Sequence, residues 1–382
     1  MLSVSRGPEV VKTSAPEHKI HKFHTLDALR GIAALAVVAY HRHSFLGVKA
    51  FSHGYLAVDF FFMLSGFVLT FAYQAKLDSG WSTWAFMKVR FGRLYPLYFL
   101  GLLVGLIEWF PGVRGPDSYV SRRVLAIGLV LGTLMLPTPW HLKGMKNAIF
   151  PINGPAWSLF FEVAANCFHA LILRRRDSKL VPTNGVVVLV CSTAAFAITS
   201  IHMRTVNLGW APGQILAGCP RVIFSYVAGF MLFLVWKSRR FRFAIPPAMS
   251  AAVLIAVLAI PTFARGELIY ELATTMILFP ILLFGSASSK PSPRLMPVAA
   301  NLGLTSYAVY MLHEPLGELF VHVWNRLPGQ NVLVHTPMAG IVYLLLVFAF
   351  ALIAERFYDR PARAFLGGLL FRRSKVSSTG NG

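Results

Sequence analysis

The sequence predicts an all-α fold: a polytopic transmembrane helix bundle of about ten spanning helices plus one short re-entrant or peripheral segment. Three observations lead there. Charged residues make up 13% of the 382-residue chain, against about 25% in a soluble domain, and the mean hydropathy is +0.60. Eleven apolar stretches are long enough, or nearly long enough, to cross a bilayer, and they run continuously rather than alternating, which excludes a β-barrel. Basic residues recur between those stretches, the arrangement that orients helices in a membrane.

In order, the stretches are 26–43, 55–75, 95–110, 123–137, 155–173, 185–201, 220–236, 248–263, 268–286, 299–323 and 336–357. With a cytoplasmic N-terminus, its lysines and the 76–93 loop (Lys76, Lys88, Arg90, Arg93) lie on one side. The next basic clusters are Arg174 to Arg176 with Lys179, then Lys237 to Arg242, then Lys290 and Arg294, then the C-terminal tail. They share that side only if an even number of spans separates residue 93 from residue 174, and three candidates lie between. The 123–137 stretch is short and ends in Leu136 and two prolines, Pro137 and Pro139, so it is the one expected not to cross. Both termini are then cytoplasmic. Residues 1–24 are expected as a disordered cytoplasmic tail, 25–365 as the membrane domain and 366–382 as a basic cytoplasmic tail. No small-residue cleavage site follows the first apolar stretch, so it reads as a retained helix.

The net charge of +21 would suit nucleic acid. Its distribution between apolar runs points to membrane orientation instead, and no nucleic-acid partner is expected. Cys167, Cys191 and Cys219 are odd in number and lack ligand spacing, so neither a disulfide framework nor a metal site is expected.

Ionisable groups inside membrane helices are costly and usually face a bundle interior or a wet cavity. Span 1 carries Asp27 and Arg30, spaced to pair on one helix face. His41 follows about three turns later, roughly 16 Å along the axis. Desolvation favours the neutral imidazole that a general base requires; an interfacial histidine without chemistry is the plain alternative. Span 2 opens near Asp59 and contains Ser65 and Gly66, which suit close helix packing. Arg90 and Arg93, three residues apart before an apolar helix, are either positive-inside residues or a fork for phosphate. Trp157, Ser158 and Glu162 open the 155–173 stretch, with Ser158 and Glu162 on one face. Ser306, Tyr310 and His313 form a polar stripe at i, i+4 and i+7, followed by Glu314 and Pro315; a structural hydrogen-bond network would also account for it.

Taken in order, Asp27-x-x-Arg30-Gly with His41, Asp59 with Ser65-Gly66-Phe67, Arg90-x-x-Arg93 with Pro96, Trp157-Ser158-Leu159 with Glu162, and Ser306-Tyr307-x-x-Tyr310-x-x-His313 resemble the membrane-bound acyltransferase family 3. That family includes O-antigen and exopolysaccharide O-acetyltransferases. The similarity covers residues 24 to 360. Two departures stand out. Phe160 and Val163 occupy positions where the family often has a small residue and a second glutamate. Family members with a fused extracytoplasmic domain extend past the last span, and this chain is expected to resemble the stand-alone members.

The resemblance implies transfer of an acyl group, commonly acetyl, from cytoplasmic acyl-CoA to a hydroxyl of a carbohydrate or glycoconjugate at the membrane. It implies a multi-pass protein of the bacterial inner membrane with acyl-CoA as co-substrate and no metal. His41 is the expected base or acyl relay, oriented by Glu162 or Asp59. Arg90, Arg93 and Arg30 are expected to bind the donor. Asp27, Trp157, Ser158, Ser306, Tyr310 and His313 are expected along a polar channel. A proton-coupled carrier or flippase for acyl donor or glycolipid would use similar residues, and a scaffold without chemistry would need no buried ionisable cluster. The acceptor, whether polysaccharide, glycolipid, peptidoglycan or glycosylated metabolite, is not legible.

Overall fold

The structure is a computed structural model and describes residues 23–110, 120–173, 180–241, 243–327 and 331–371. Most of the two expected tails, and the arginines 174–176, lie outside the described residues. Among the described residues every regular element is helical. The helices are α1 (His24–His41), α2 (His43–Leu46), α3 (Ala57–Asp78), α4 (Thr83–Ile107), α5 (Arg122–Thr133), α6 (Ala156–Phe168), α7 (Leu180–Met203), α8 (Ile215–Ser238), α9 (Pro247–Ala259), α10 (Glu267–Ala273), α11 (Phe279–Ala287), α12 (Met296–Trp324), α13 (Met338–Ile353) and α14 (Arg360–Phe371). Single π-helical turns continue α6, join α10 to α11 and join α13 to α14.

Six helical stretches among the described residues are long and apolar enough to cross a membrane, and two shorter apolar helices accompany them. The polar residues of α1 and α12 keep both outside that set. The large exposed residues fit lipid as the solvent: Val190 and Ile198 on α7, and Leu345 on α13, are each more than 60% exposed. The stretch expected not to cross forms α5, with 12 residues. At 1.5 Å per residue it is about 18 Å long, well short of a hydrocarbon core of about 30 Å.

Two parallel helix pairs frame the interior. In the first, Asp27 and Arg30 of α1 meet Gly303 and Ser306 of α12, and His41 meets His313 at the other end. In the second, α3 runs beside α8, with Asp59 against Arg221 and Gly66 against Tyr226. Glycine is what lets α3 and α8 approach so closely. A Cβ at Gly66 would sit 2.0 Å from the Tyr226 carbonyl oxygen, and one at Gly229 1.8 Å from the Met63 carbonyl oxygen. With lipid on the outside, such packing is a main source of helix association. Gly66→Leu must therefore push the pair apart, at a cost of at least the 1–3 kcal/mol typical of overpacking. The expected result is a thermal transition several degrees lower in detergent; an unchanged transition would mean that α3 and α8 do not touch at Gly66.

Pro315 lies inside α12. Having no N–H, it leaves the Met311 carbonyl, four residues back, without its helical donor. Asn153, from the loop before α6, fills the gap: its Nδ2 donates to Met311 O at 3.1 Å. That bond ties the loop at 153–155 to α12 where the polar stripe reaches His313. The same loop starts α6, so Pro315 helps to set where Trp157 and Ser158 stand.

Candidate active site

The polar groups of the interior fall into layers along the paired helices. At the far end of α1 lies a cavity of about 470 Å³, lined by His41, Tyr310, Trp157, Glu314 and Lys146 among others. His41 is exposed to that space. Its Nδ1 is 3.0 Å from Nε2 of His313, which is fully buried. The second nitrogen of His313, Nδ1, lies 2.7 Å from the Tyr310 carbonyl oxygen.

The cavity rim is charged. Lys146 reaches Glu108 and Glu314 at 3.1 Å each and Glu318 at 3.3 Å. Burial opposes the Lys146 ammonium, but the Glu314, Glu318 and Glu108 carboxylates outweigh it and raise its pKa above the usual lysine value. Arg42 pairs with Glu318 at 3.0 Å and donates to the Glu314 carbonyl at 2.9 Å. Glu314 and Glu318, one turn apart on α12, thus hold Arg42 and the Lys146 loop together beside His41.

One layer deeper, the Tyr310 hydroxyl is 2.8 Å from Ser158 Oγ, which donates to the Pro155 carbonyl. Asp59 and Arg221 form a fully buried pair at 2.7 and 2.8 Å. Two further Arg221 donors go to the Leu208 and Tyr55 carbonyls. Its guanidinium carbon lies 5.5 Å from the Trp157 ring centre, a cation–π contact behind the cavity wall.

Further along, Glu162 accepts from Ser65 Oγ at 2.6 Å and from Arg90 at 3.1 Å. At the opposite end from His41, Arg30 donates to Ser306 Oγ at 2.8 Å, Asp27 at 3.1 Å and the Gly303 carbonyl at 2.6 Å. Arg93 is exposed there, within range of the charges of Arg90, Arg30 and Arg363 and of the Asp359 carboxylate, with no carboxylate at ion-pair distance among the described residues. Arg363 is held by Glu355 at 2.5 Å and Asp359 at 2.6 Å. Several guanidiniums gathered at one end of the bundle suit a polyanion.

The structure brings His41 to His313, Ser158 to Tyr310, Arg30 to Asp27 and Ser306, and Glu162 to Arg90. It does not bring Asp59 or Glu162 to His41. Both carboxylates are taken by arginines, and the carboxylates on the His41 cavity wall are Glu314 and Glu318. Nor do Arg30, Arg90 or Arg93 line the His41 cavity, so the arginine cluster and the cavity sit at opposite ends of α1. Sequence reading passed over Arg42, Lys146, Arg221 and Glu318, and named Glu314 beside His313 without giving it a role. Arg221 carried a usable signal, a lone charge entering an apolar helix. Lys146 carried none, since a loop lysine has no periodicity to mark it. Among the described residues no group of three or more His, Cys, Asp or Glu could hold a metal ion.

The family model for an acyltransferase domain (acyltransferase 3) matches residues 23–356. A protein of Rhizobium radiobacter described as protein 2 in the picA locus is 41% identical over 187 residues, 46% of this chain and 96% of that protein. The acyltransferase MdmB of Streptomyces mycarofaciens is 25% identical over 82% of this chain and 83% of its own length. The O-acetyltransferase OatA of Staphylococcus aureus is 23% identical over 88% of this chain, which spans 57% of that longer protein. No solved structure matches the chain significantly.

Proposed function

Because the chain belongs to the acyltransferase 3 family and is an O-acyltransferase with membrane-spanning helices, we propose that it moves an acyl group, acetyl foremost, from cytoplasmic acyl-CoA to a hydroxyl of a carbohydrate or glycoconjugate acceptor. The observation that carries this reading is the open cavity of about 470 Å³ with His41 in its wall, since a base must reach the proton it removes. The aromatic rings of Trp157 and Tyr310 and the carboxylate of Glu314 on the same wall suit a sugar, which presents apolar faces and hydroxyl edges.

In this reading His41 takes the acceptor hydroxyl proton as the oxygen attacks the thioester carbonyl. The carbon–sulfur bond then breaks, and the CoA thiolate leaves with the proton from the imidazolium. An acyl group carried briefly on His41 is the other route to the same products. The Lys146 ammonium and Tyr310 hydroxyl are two of the donors on the cavity wall and serve the oxyanion between those steps. Arg90, Arg93 and Arg30 hold the CoA phosphates, and the pantetheine arm carries the thioester along α1, about 16 Å from Arg30 to His41. Asp59 and Glu162 support the site through Arg221 and Arg90 instead of touching His41. Ten spans with both termini cytoplasmic, in the inner membrane of a bacterium, would put the arginines beside the cytoplasmic donor and the cavity on the other side.

Radiolabelled acetyl-CoA supplied to purified membranes separates enzyme from carrier. The expected product is an alkali-labile acetyl ester on a saccharide; label that crosses unchanged, with no new bond, would overturn the reading in favour of a carrier. Arg93→Gln removes a charge-assisted contact worth about 1.5–3 kcal/mol, so KM for acetyl-CoA should rise roughly tenfold or more. An unchanged KM would count against the phosphate role of Arg93.

A further inference from the structure

We propose that His313 is the positioning residue for His41, fixing its imidazole with the proton on Nδ1 and the lone pair on Nε2; this rests on the acyl-transfer reading with His41 as the base. The argument is a chain of donors and acceptors that starts at a backbone carbonyl. The Tyr310 carbonyl can only accept, so the His313 Nδ1 that lies 2.7 Å away carries a proton. In a neutral imidazole the other nitrogen is then an acceptor. His313 Nε2 therefore accepts, and its partner at 3.0 Å, His41 Nδ1, donates. The basic nitrogen of His41 is thereby Nε2.

Burial separates the two roles. His313 is 0% exposed and has no place in the cavity wall, so it touches neither donor nor acceptor. His41 opens onto the cavity. When Nε2 takes the acceptor proton, the bond from Nδ1 to His313 becomes charge-assisted and strengthens, so the pair responds most when charge develops. Glu314, on the same wall, adds the negative charge that a neutral histidine partner cannot. The helix itself sets the arrangement. His313 reaches back to a carbonyl three residues earlier, and the Tyr343 hydroxyl donates to the carbonyl of His313. The first holds the ring and the second holds the backbone that carries it, next to Pro315.

The test compares wild type with His313→Leu and His313→Gln. The glutamine carbonyl oxygen can stand near the position of Nε2 and accept from His41 Nδ1; leucine cannot. Expected for His313→Leu is a fall in kcat of roughly 10²-fold or more, the scale of losing a correctly placed acid–base group, with KM for acetyl-CoA unchanged. His313→Gln should recover most of that kcat. If the role were only structural, kcat would follow the amount of folded protein, and glutamine, polar and buried, would do no better than leucine. In parallel, solid-state 15N NMR of histidine-labelled protein, with His41→Ala to assign the signal, reads the tautomer without any turnover. Wild type should show a protonated Nδ1 and a bare Nε2 at His41, and His313→Leu a mixture. A His41 protonated on Nε2 in wild type, or a kcat within about threefold of wild type for His313→Leu, would overturn the proposal. A fixed tautomer in a protein that transfers no acyl group would leave the positioning intact and sink the acyl-transfer reading instead.

Discussion

Alanine at position 41 is expected to lower acyl transfer by roughly 10²- to 10⁴-fold, the contribution of a positioned general base, while the protein remains folded. Two structural facts make the loss one of chemistry. His41 is the last residue of α1 and its side chain is exposed to the cavity, so removing the ring empties little packed volume. Its partner His313 stays anchored through the Tyr310 carbonyl. The measurement is the initial rate of ester formation from labelled acetyl-CoA, normalised to detergent-extracted folded protein. Binding of acetyl-CoA should survive, because the proposed phosphate contacts lie at the other end of α1. If His41 carries the acyl group itself, the variant should also fail to exchange label between acetyl-CoA and free CoA. A variant with near-normal rate would remove His41 from the chemistry, and with it the reason for placing the acceptor in this cavity.

The bundle was legible because hydropathy is a property of long windows. Runs of twenty apolar residues survive local ambiguity, and the basic clusters between them test the count. The short piece at 123–137 was set apart by its length, by the two prolines that close it and by the spacing of the basic clusters, and in the fold it is the 12-residue α5. The site was legible one helix at a time. Periodicity put Ser306, Tyr310 and His313 on one face of α12 and Asp27 with Arg30 on one face of α1. What it could not give is which faces meet. Asp59 and Glu162 looked like partners for His41 because a carboxylate at membrane depth needs a cation, and the sequence offers several. In the fold each is met by an arginine from another helix, Arg221 and Arg90. The carboxylates left for the His41 cavity are Glu314 and Glu318, and the sequence neighbour of Glu314, His313, had drawn the eye first. Pairings of that kind depend on helix order and rotation, which no single-chain periodicity encodes.

The Asp59–Arg221 pair should prove the most sensitive element of the frame. Both side chains are fully buried, and removing one partner strands the other charge, which typically costs 3–5 kcal/mol. Arg221→Leu is therefore expected to abolish most folded protein in the membrane extract, and Asp59→Ala to do nearly the same. The double variant Asp59→Leu with Arg221→Met should recover folded protein, because an apolar pair of similar bulk avoids the stranded charge. It should not recover full activity. Arg221 also donates to the Leu208 and Tyr55 carbonyls and lies against Trp157, so the double variant leaves two acceptors unmet and loosens the ring in the cavity wall. Thermal stability and acyl transfer measured on the same preparations separate these effects. Should Asp59→Asn fold as well as wild type yet lose transfer as completely as the alanine variant of His41, Asp59 would belong to the reacting group after all, and the assignment of Glu314 to that place would fall.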